Sequence, residues 1–138
     1  MAQNGLESKV SVYHSDCLDS IPPSEKWDLV VSNPPHWRSG EDAYVRDRRM
    51  WDPDLRIHEK FYGSICGYLK PGGSVLMQEN GSATRYEDFK PMLERNGLAT
   101  IEVFKAKPIS LWRCIVERRS MKYTRPSQYY YILSRAAQ

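Results

Sequence analysis

Residues Trp27 to Trp37 read "WDLVVSNPPHW", an apolar run that ends abruptly in two prolines with an imidazole and an indole behind them. The run Leu29, Val30, Val31 is of the kind found in strands buried on both faces, so Trp27 to Ser32 is expected to be a strand of a parallel sheet. In open sheets of that kind ligands sit beyond the carboxyl ends of the strands, which is where Asn33 falls. A residue before proline is pushed out of the helical region, so Asn33 and Pro34 are both held extended, and neither Pro34 nor Pro35 carries an N–H. The corner therefore offers acceptors without matching donors, the Pro34 carbonyl and the Asn33 side-chain oxygen. Two such acceptors suit both hydrogens of a planar NH2 group, and His36 or Trp37 is placed to stack on the group that carries it. The plainer alternative is an asparagine and two prolines that simply end a strand.

Upstream, "KVSVY" (Lys9 to Tyr13) alternates β-branched and polar residues and reads as another strand. The polar "SDCLDSIPPSEK" between the two holds at most a helical turn. Downstream, "RSGEDAYVRDRRMW" shows no clean period and reads as a long loop. Asp52 and Pro53 then open a helix with a capping carboxylate and a first-position proline. Leu55, Ile57, Phe61, Ile65 and Leu69 follow at helical spacing. "KPGG" (Lys70 to Gly73) supplies a cation, a stop and two glycines free to take positive φ before a strand at Ser74 to Glu79.

Thr84 and Glu87 form a capping-box pattern. Tyr86, Phe89 and Leu93 make one apolar stripe, Gly97 ends that helix, and a strand follows from Leu98 to Phe104. "LWRCIVE" (Leu111 to Glu117) fits strand or helix by period and is taken as a strand, and "QYYYIL" (Gln128 to Leu133) is β-rich. The sum is an α/β domain on a mostly parallel sheet with an antiparallel C-terminal strand.

A chain of 138 residues, 41 % hydrophobic, suits one domain with a single core, residues 1–138. Its 20 basic and 17 acidic residues give a net charge of +3, which permits an anionic partner without requiring one. Cys17, Cys66 and Cys114 lie far apart without Cys-x-x-Cys spacing, and His14, His36 and His58 have no ligand spacing. Reduced thiols and no metal site are expected. No signal peptide and no run of 18 apolar residues is present, so a cytoplasmic location is expected. Arg46, Arg48, Arg49 and Trp51, and later Lys105, Lys107, Arg113, Arg118, Arg119, Lys122 and Arg125 among aromatics, fit a phosphate backbone or a plain solvated surface.

The corner resembles the fourth motif of the class I S-adenosylmethionine-dependent methyltransferases that act on amino groups, Asp/Asn/Ser-Pro-Pro followed by an aromatic. "NGLESKV" resembles the family's link from second helix to third strand, "SDCLD" its third motif, "LKPGG" the turn before its fifth strand and "ERNGL" the turn before its sixth. The resemblance spans almost the whole chain. It implies a Rossmann-like fold and methyl transfer from S-adenosylmethionine to an adenine amine of nucleic acid or a glutamine amide of protein. By the same resemblance, Asn33 and the Pro34 carbonyl hold the target amine and Pro35 stiffens the turn. Asp16 accepts from the cofactor's adenine amine, and Cys17 donates a backbone N–H beside it.

The family's aromatic position is filled by His36, with Trp37 one residue later. Either ring is a candidate for stacking, and the substrate class stays open. The glycine-rich turn and second acidic residue through which the family binds its methyl donor are not found, because Gly5 is the sole glycine among the 32 residues before Asn33. The chain therefore reads as the later two-thirds of such a domain, begun at an internal methionine or cut upstream, with little or no activity alone. The alternative is a non-catalytic, partner-binding module that keeps the fold. In the family the fourth strand pairs with the first, so the Leu29 to Val31 edge is expected to pair with Lys9 to Tyr13, with a second copy in a homodimer, or with a completing partner.

Overall fold

A computed structural model describes residues 4–6, 8–38, 40–105, 107–108, 111–117 and 128–137, with the backbone alone at 111, 113 and 114. The apolar run of the opening motif is strand β1 (Trp27–Ser32), and "SVLMQE" lies in the longer β2 (Leu69–Asn80). β3 (Leu98–Lys105) and β4 (Tyr129–Ala136) complete a sheet of order β1-β2-β4-β3. β1 and β2 are parallel, and β4 lies antiparallel between β2 and β3, so three of the four strands point the same way. That arrangement agrees with the expected mostly parallel sheet and antiparallel finish.

Alternation along the strands sends Val75, Met77 and Glu79 of β2 and Tyr130, Ile132 and Ser134 of β4 to one buried face. Helices α2 (Arg56–Ile65) and α3 (Tyr86–Arg95) supply the other half of the core, with Phe61, Tyr62 and Ile65 from the first and Phe89, Met92 and Leu93 from the second. The positive φ of Gly97 ends α3, as expected. On the opposite face Leu29, Val31 and Phe104 are exposed.

Several local expectations are corrected. Lys9 to Tyr13 is not a strand. The Lys9 and Val10 amides bond to the Leu6 carbonyl in a turn, and Val10, Val12 and Tyr13 are exposed, so no ladder and no core hold the segment extended. The β1 edge is consequently not paired with it.

The expected loop after Trp37 contains a short helix, α1 (Glu41–Arg46), with Glu41 and Asp42 at its N-terminus and Arg46 at its end, where each charge complements the helix dipole. "LWRCIV" is helix α4 (Leu111–Val116) rather than strand, because Trp112, Ile115 and Val116 recur at helical intervals. The α3 capping box sits one residue later than expected: the Asp88 carboxylate accepts from the Arg85 amide at 2.8 Å, while Thr84 is buried and bonds to Asn80 and Tyr130.

The helix opened by Asp52 and Pro53 begins as a 3-10 turn (Pro53–Leu55), bends through left-handed Asp54 and Leu55, and stops at Ile65 before a second 3-10 turn (Cys66–Tyr68). Leu69 belongs to β2. "KPGG" is not a connection before the strand but an excursion inside it, since Trp27 pairs with Leu69 and Leu29 already pairs with Ser74. Gly72 takes φ +77°, and a Cβ on Gly73 would lie 2.7 Å from the Trp27 carbonyl oxygen, so both glycines are needed for different reasons. Lys70 reaches Asp28 across this excursion at 2.7 Å instead of serving the helix end.

Candidate functional site

The corner lies at the carboxyl end of β1. Asn33 is exposed, and Pro34, Pro35, His36 and Trp37 are half-buried. Asn33 Oδ1 accepts from Gln78 Nε2 at 3.0 Å, which fixes the amide and leaves the second lone pair of that oxygen. Pro34 and Pro35 form one wall of a cleft of about 490 Å3 along the free side of β1, with Ser32, Val31, Cys17, Leu18 and Ile57 among its other lining residues. Beside that cleft, Asp16 and Asp19 both accept from Lys60 of α2, at 2.7 and 2.6 Å. These two carboxylates hold the Lys60 ammonium well above the usual lysine range. Burial pushes the Cys17 thiol up, so it faces the cleft as a neutral group.

The two ring candidates part company. Trp37 lies beside Trp51, with the indole rings 6.3 Å apart: the Trp37 amide donates to the Met50 carbonyl at 3.1 Å, and the Asp52 amide donates to the Trp37 carbonyl at 2.8 Å. His36 turns toward the sheet, 5.9 Å from the Tyr129 ring and 3.4 Å from Glu79 Oε2. Asn33 is thus joined to Gln78 and His36 to Glu79, neighbouring residues of β2, while Pro34 and Pro35 line the cleft. Asp16 and Cys17 lie on the cleft side, and Trp37 packs away against Trp51.

Behind the corner runs a buried ionic chain that sequence reasoning did not assemble. Asp52 and Glu79 are 0 % exposed and His58 is 1 % exposed. Asp52 Oδ2 meets His58 Nδ1 at 2.5 Å, and His58 Nε2 meets Glu79 Oε1 at 2.9 Å. Asp52 also accepts the Ile57 and His58 amides, at 2.8 and 3.3 Å, so the twist at Asp54 and Leu55 lets one carboxylate both cap α2 and bind its histidine. Burial alone lowers the affinity of the imidazole for a proton; the hydrogen bonds and charges of Asp52 and Glu79 override it and raise His58 to about 9. The available signal was register. Glu79 shares the inward parity of Val75 and Met77, and a carboxylate at a core position requires a partner.

Of the basic residues that fit a phosphate backbone, Arg49 binds Asp47, Arg46 donates to the Asp42 carbonyl, and Arg48 lies over the Tyr44 ring. Arg118, Arg119, Lys122, Arg125 and the Arg113 side chain lie outside the described residues. Among the described residues no cluster of His, Cys, Asp and Glu is suited to a metal ion.

A Rossmann-like sheet with an Asn-Pro-Pro corner at a strand's carboxyl end defines the class: the chain has the fold of the S-adenosylmethionine-dependent methyltransferases. A methyltransferase of that kind from Clostridium acetobutylicum superposes with a TM-score of 0.56 at 11 % identity, over 99 % of this chain and 70 % of that one. The ribosomal protein L11 methylase of Lactobacillus delbrueckii subsp. bulgaricus gives 0.51 at 11 % identity, over 90 % and 42 %. In sequence the chain matches release factor glutamine methyltransferases: 33 % identity to that of Clostridium acetobutylicum over 72 % of this chain and 38 % of the relative. For that of Neisseria gonorrhoeae the values are 26 %, 71 % and 39 %. The chain is thus similar in fold to S-adenosylmethionine-dependent methyltransferases and in sequence to release factor glutamine methyltransferases, and it spans about two-fifths of the length of the curated relatives it matches. No family model matches.

Proposed function

We propose that this chain forms the acceptor side of an S-adenosylmethionine-dependent methyltransferase acting on a planar amino or amide nitrogen, with the glutamine amide of a protein as the favoured substrate. The observation that carries this reading is the exposed Asn33 amide beside the Pro34–Pro35 wall at the end of β1. Asn33 Oδ1 and the Pro34 carbonyl accept the two N–H groups, and the stiff backbone keeps them in place without reorganisation. The names of the sequence relatives support glutamine over adenine. Internal pairing of Arg46 and Arg49 weakens the case for a nucleic-acid track.

The methyl donor fits the site in part. Cys17, Leu18, Ile57, Pro34 and Pro35 give a flat adenine ring an apolar wall, with Asp16 beside it for the exocyclic amine. His58 is the single charged lining residue, and it is already held by two carboxylates, so these residues offer no counter-charge to the amino-acid end of the donor. When bound, that donor supplies an electrophilic methyl group on a sulfonium. Residues of this chain hold the amine and order its approach.

A second reading rests on the exposed Leu29 and Val31 along β1. An apolar edge of this kind recruits another strand, so a completing partner or second copy is proposed there, and a partner-binding module is the non-catalytic form of the same idea. A cytoplasmic setting belongs with this proposal; among the described residues no helix is long and apolar enough to cross a membrane. Residues 1–138 are taken as the later part of one methyltransferase domain.

The test uses the protein as the cell makes it, methyl-labelled S-adenosylmethionine, and two substrates, a glutamine-containing peptide and an adenine-containing oligonucleotide. Label is expected on the peptide and lost in Asn33→Ala. Label on neither substrate refutes the methyltransferase reading, and label on the oligonucleotide alone replaces the substrate.

A further inference from the structure

The buried chain Asp52–His58–Glu79 reaches the corner through one residue, His36. Both nitrogens of His58 face carboxylates, so both carry protons and the ring is an imidazolium. Two carboxylates and one imidazolium leave one negative charge uncompensated at positions with 0 % and 1 % exposure. The outlet for that charge is Glu79 Oε2, which faces His36 Nδ1 at 3.4 Å. A carboxylate can only accept there, so Nδ1 carries a proton, and in the neutral form of the ring the free lone pair is at Nε2. The His36 side chain is 13 % exposed, and Nε2 makes no hydrogen bond among the described residues. The ionisable groups around Glu79 are His36, His58, Tyr62 and Tyr130, and those around His36 are Glu79 and Tyr129.

We infer that His36, oriented by Glu79, accepts at Nε2 the proton that the target amine sheds as it is methylated. This deepens the reading above and rests on it. A neutral NH2 nitrogen that gains a methyl group as the carbon–sulfur bond breaks becomes cationic, while the sulfur keeps the bonding pair and leaves as a neutral thioether. One N–H bond must then break. Its electrons return to nitrogen and its proton forms a bond to Nε2. His36 becomes an imidazolium facing Glu79, and the uncompensated buried charge is neutralised in that same step. Glu79 is a positioning residue, since it acts through His36. The departure from the aromatic usual after Asn-Pro-Pro thereby gains a chemical reason.

The test has a structural arm and a kinetic arm. Histidine-labelled chain is studied by long-range proton–nitrogen NMR at neutral pH, where His36 is expected as the Nδ1–H tautomer. Glu79→Gln, which removes the anion, is expected to shift it toward Nε2–H. If Glu79→Gln does not fold, the wild-type tautomer decides alone. In the protein as the cell makes it, with S-adenosylmethionine and a glutamine-containing peptide, His36→Phe is expected to lower kcat about 100-fold with KM little changed. The fall of wild-type rate at acid pH should flatten in that variant.

An Nε2–H tautomer in the wild type, or an unchanged acid limb in His36→Phe, overturns the inference while leaving methyl transfer intact. No transfer to any amine, with the Nδ1–H tautomer present, overturns the methyltransferase reading and the inference with it.

Discussion

Raising the pH from 6.5 to 8.5 should destabilise this domain by about 2 kcal/mol through His58 alone. The unfolded imidazole titrates near 6.5, whereas in the fold Asp52 and Glu79 hold it at about 9. A raised folded value means that the stabilisation is fully present below the unfolded value and drains away as pH rises toward the folded one. At one pKa unit per 1.36 kcal/mol the whole contribution is about 3 kcal/mol, of which about 2 is lost between pH 6.5 and 8.5. At about 4 °C per kcal/mol for a chain of this size, Tm should fall by about 8 °C.

Thermal melts followed by circular dichroism across that window measure the fall. Stopping at 8.5 limits the contribution of Cys17 and Cys66, whose thiols are pushed up by burial and which ionise more readily when unfolded. His58→Gln should be less stable at pH 6.5, because two buried carboxylates lose their cation, and its Tm should vary far less with pH. A wild-type Tm that holds steady from pH 6.5 to 8.5 refutes the buried imidazolium.

Three further substitutions probe the scaffold. Asp52→Ala strands His58 and uncaps α2, so a loss of about 3–5 kcal/mol is expected in urea unfolding, and a loss below about 1 would remove the clamp. Gly73→Ala forces a Cβ to 2.7 Å from the Trp27 carbonyl oxygen and should cost about 1–3 kcal/mol; a neutral result would mean that the excursion in β2 yields freely. Tyr62→Phe removes a buried hydroxyl that has no hydrogen-bond partner among the described residues, so Tm is expected to hold or rise, and a clear drop would show that the hydroxyl is satisfied.

The strands with dense apolar content and the helices with clear stripes were legible in the sequence. The continuous apolar run Leu29 to Val31 marked β1, although Leu29 and Val31 are exposed rather than buried on both faces, and Val75 with Met77 and Phe61 with Ile65 repeat at the period of the element they occupy. Segments with few apolar residues were not. Lys9 to Tyr13 alternates correctly but lacks a neighbour to pair with, and six residues around Trp112 satisfy two periods at once.

At the site, the placement of Asn33 and Pro34 at the carboxyl end of β1 followed from local backbone rules and from the strand before them. The ionic chain did not, because Asp52, His58 and Glu79 lie on different elements and meet only after α2 packs on the sheet. Nor did the divergence of the two rings, which depends on Trp51 and Glu79 rather than on the motif itself.

The most direct measurement is the mass of a glutamine-containing peptide after incubation with S-adenosylmethionine and the protein as the cell makes it, wild type against Asn33→Ala. One added methyl group on the glutamine side chain with the wild type, and none with the variant, is the predicted result. Equal methylation by both proteins, or methylation at a site other than a planar nitrogen, contradicts the claim that the diproline corner holds the nucleophile.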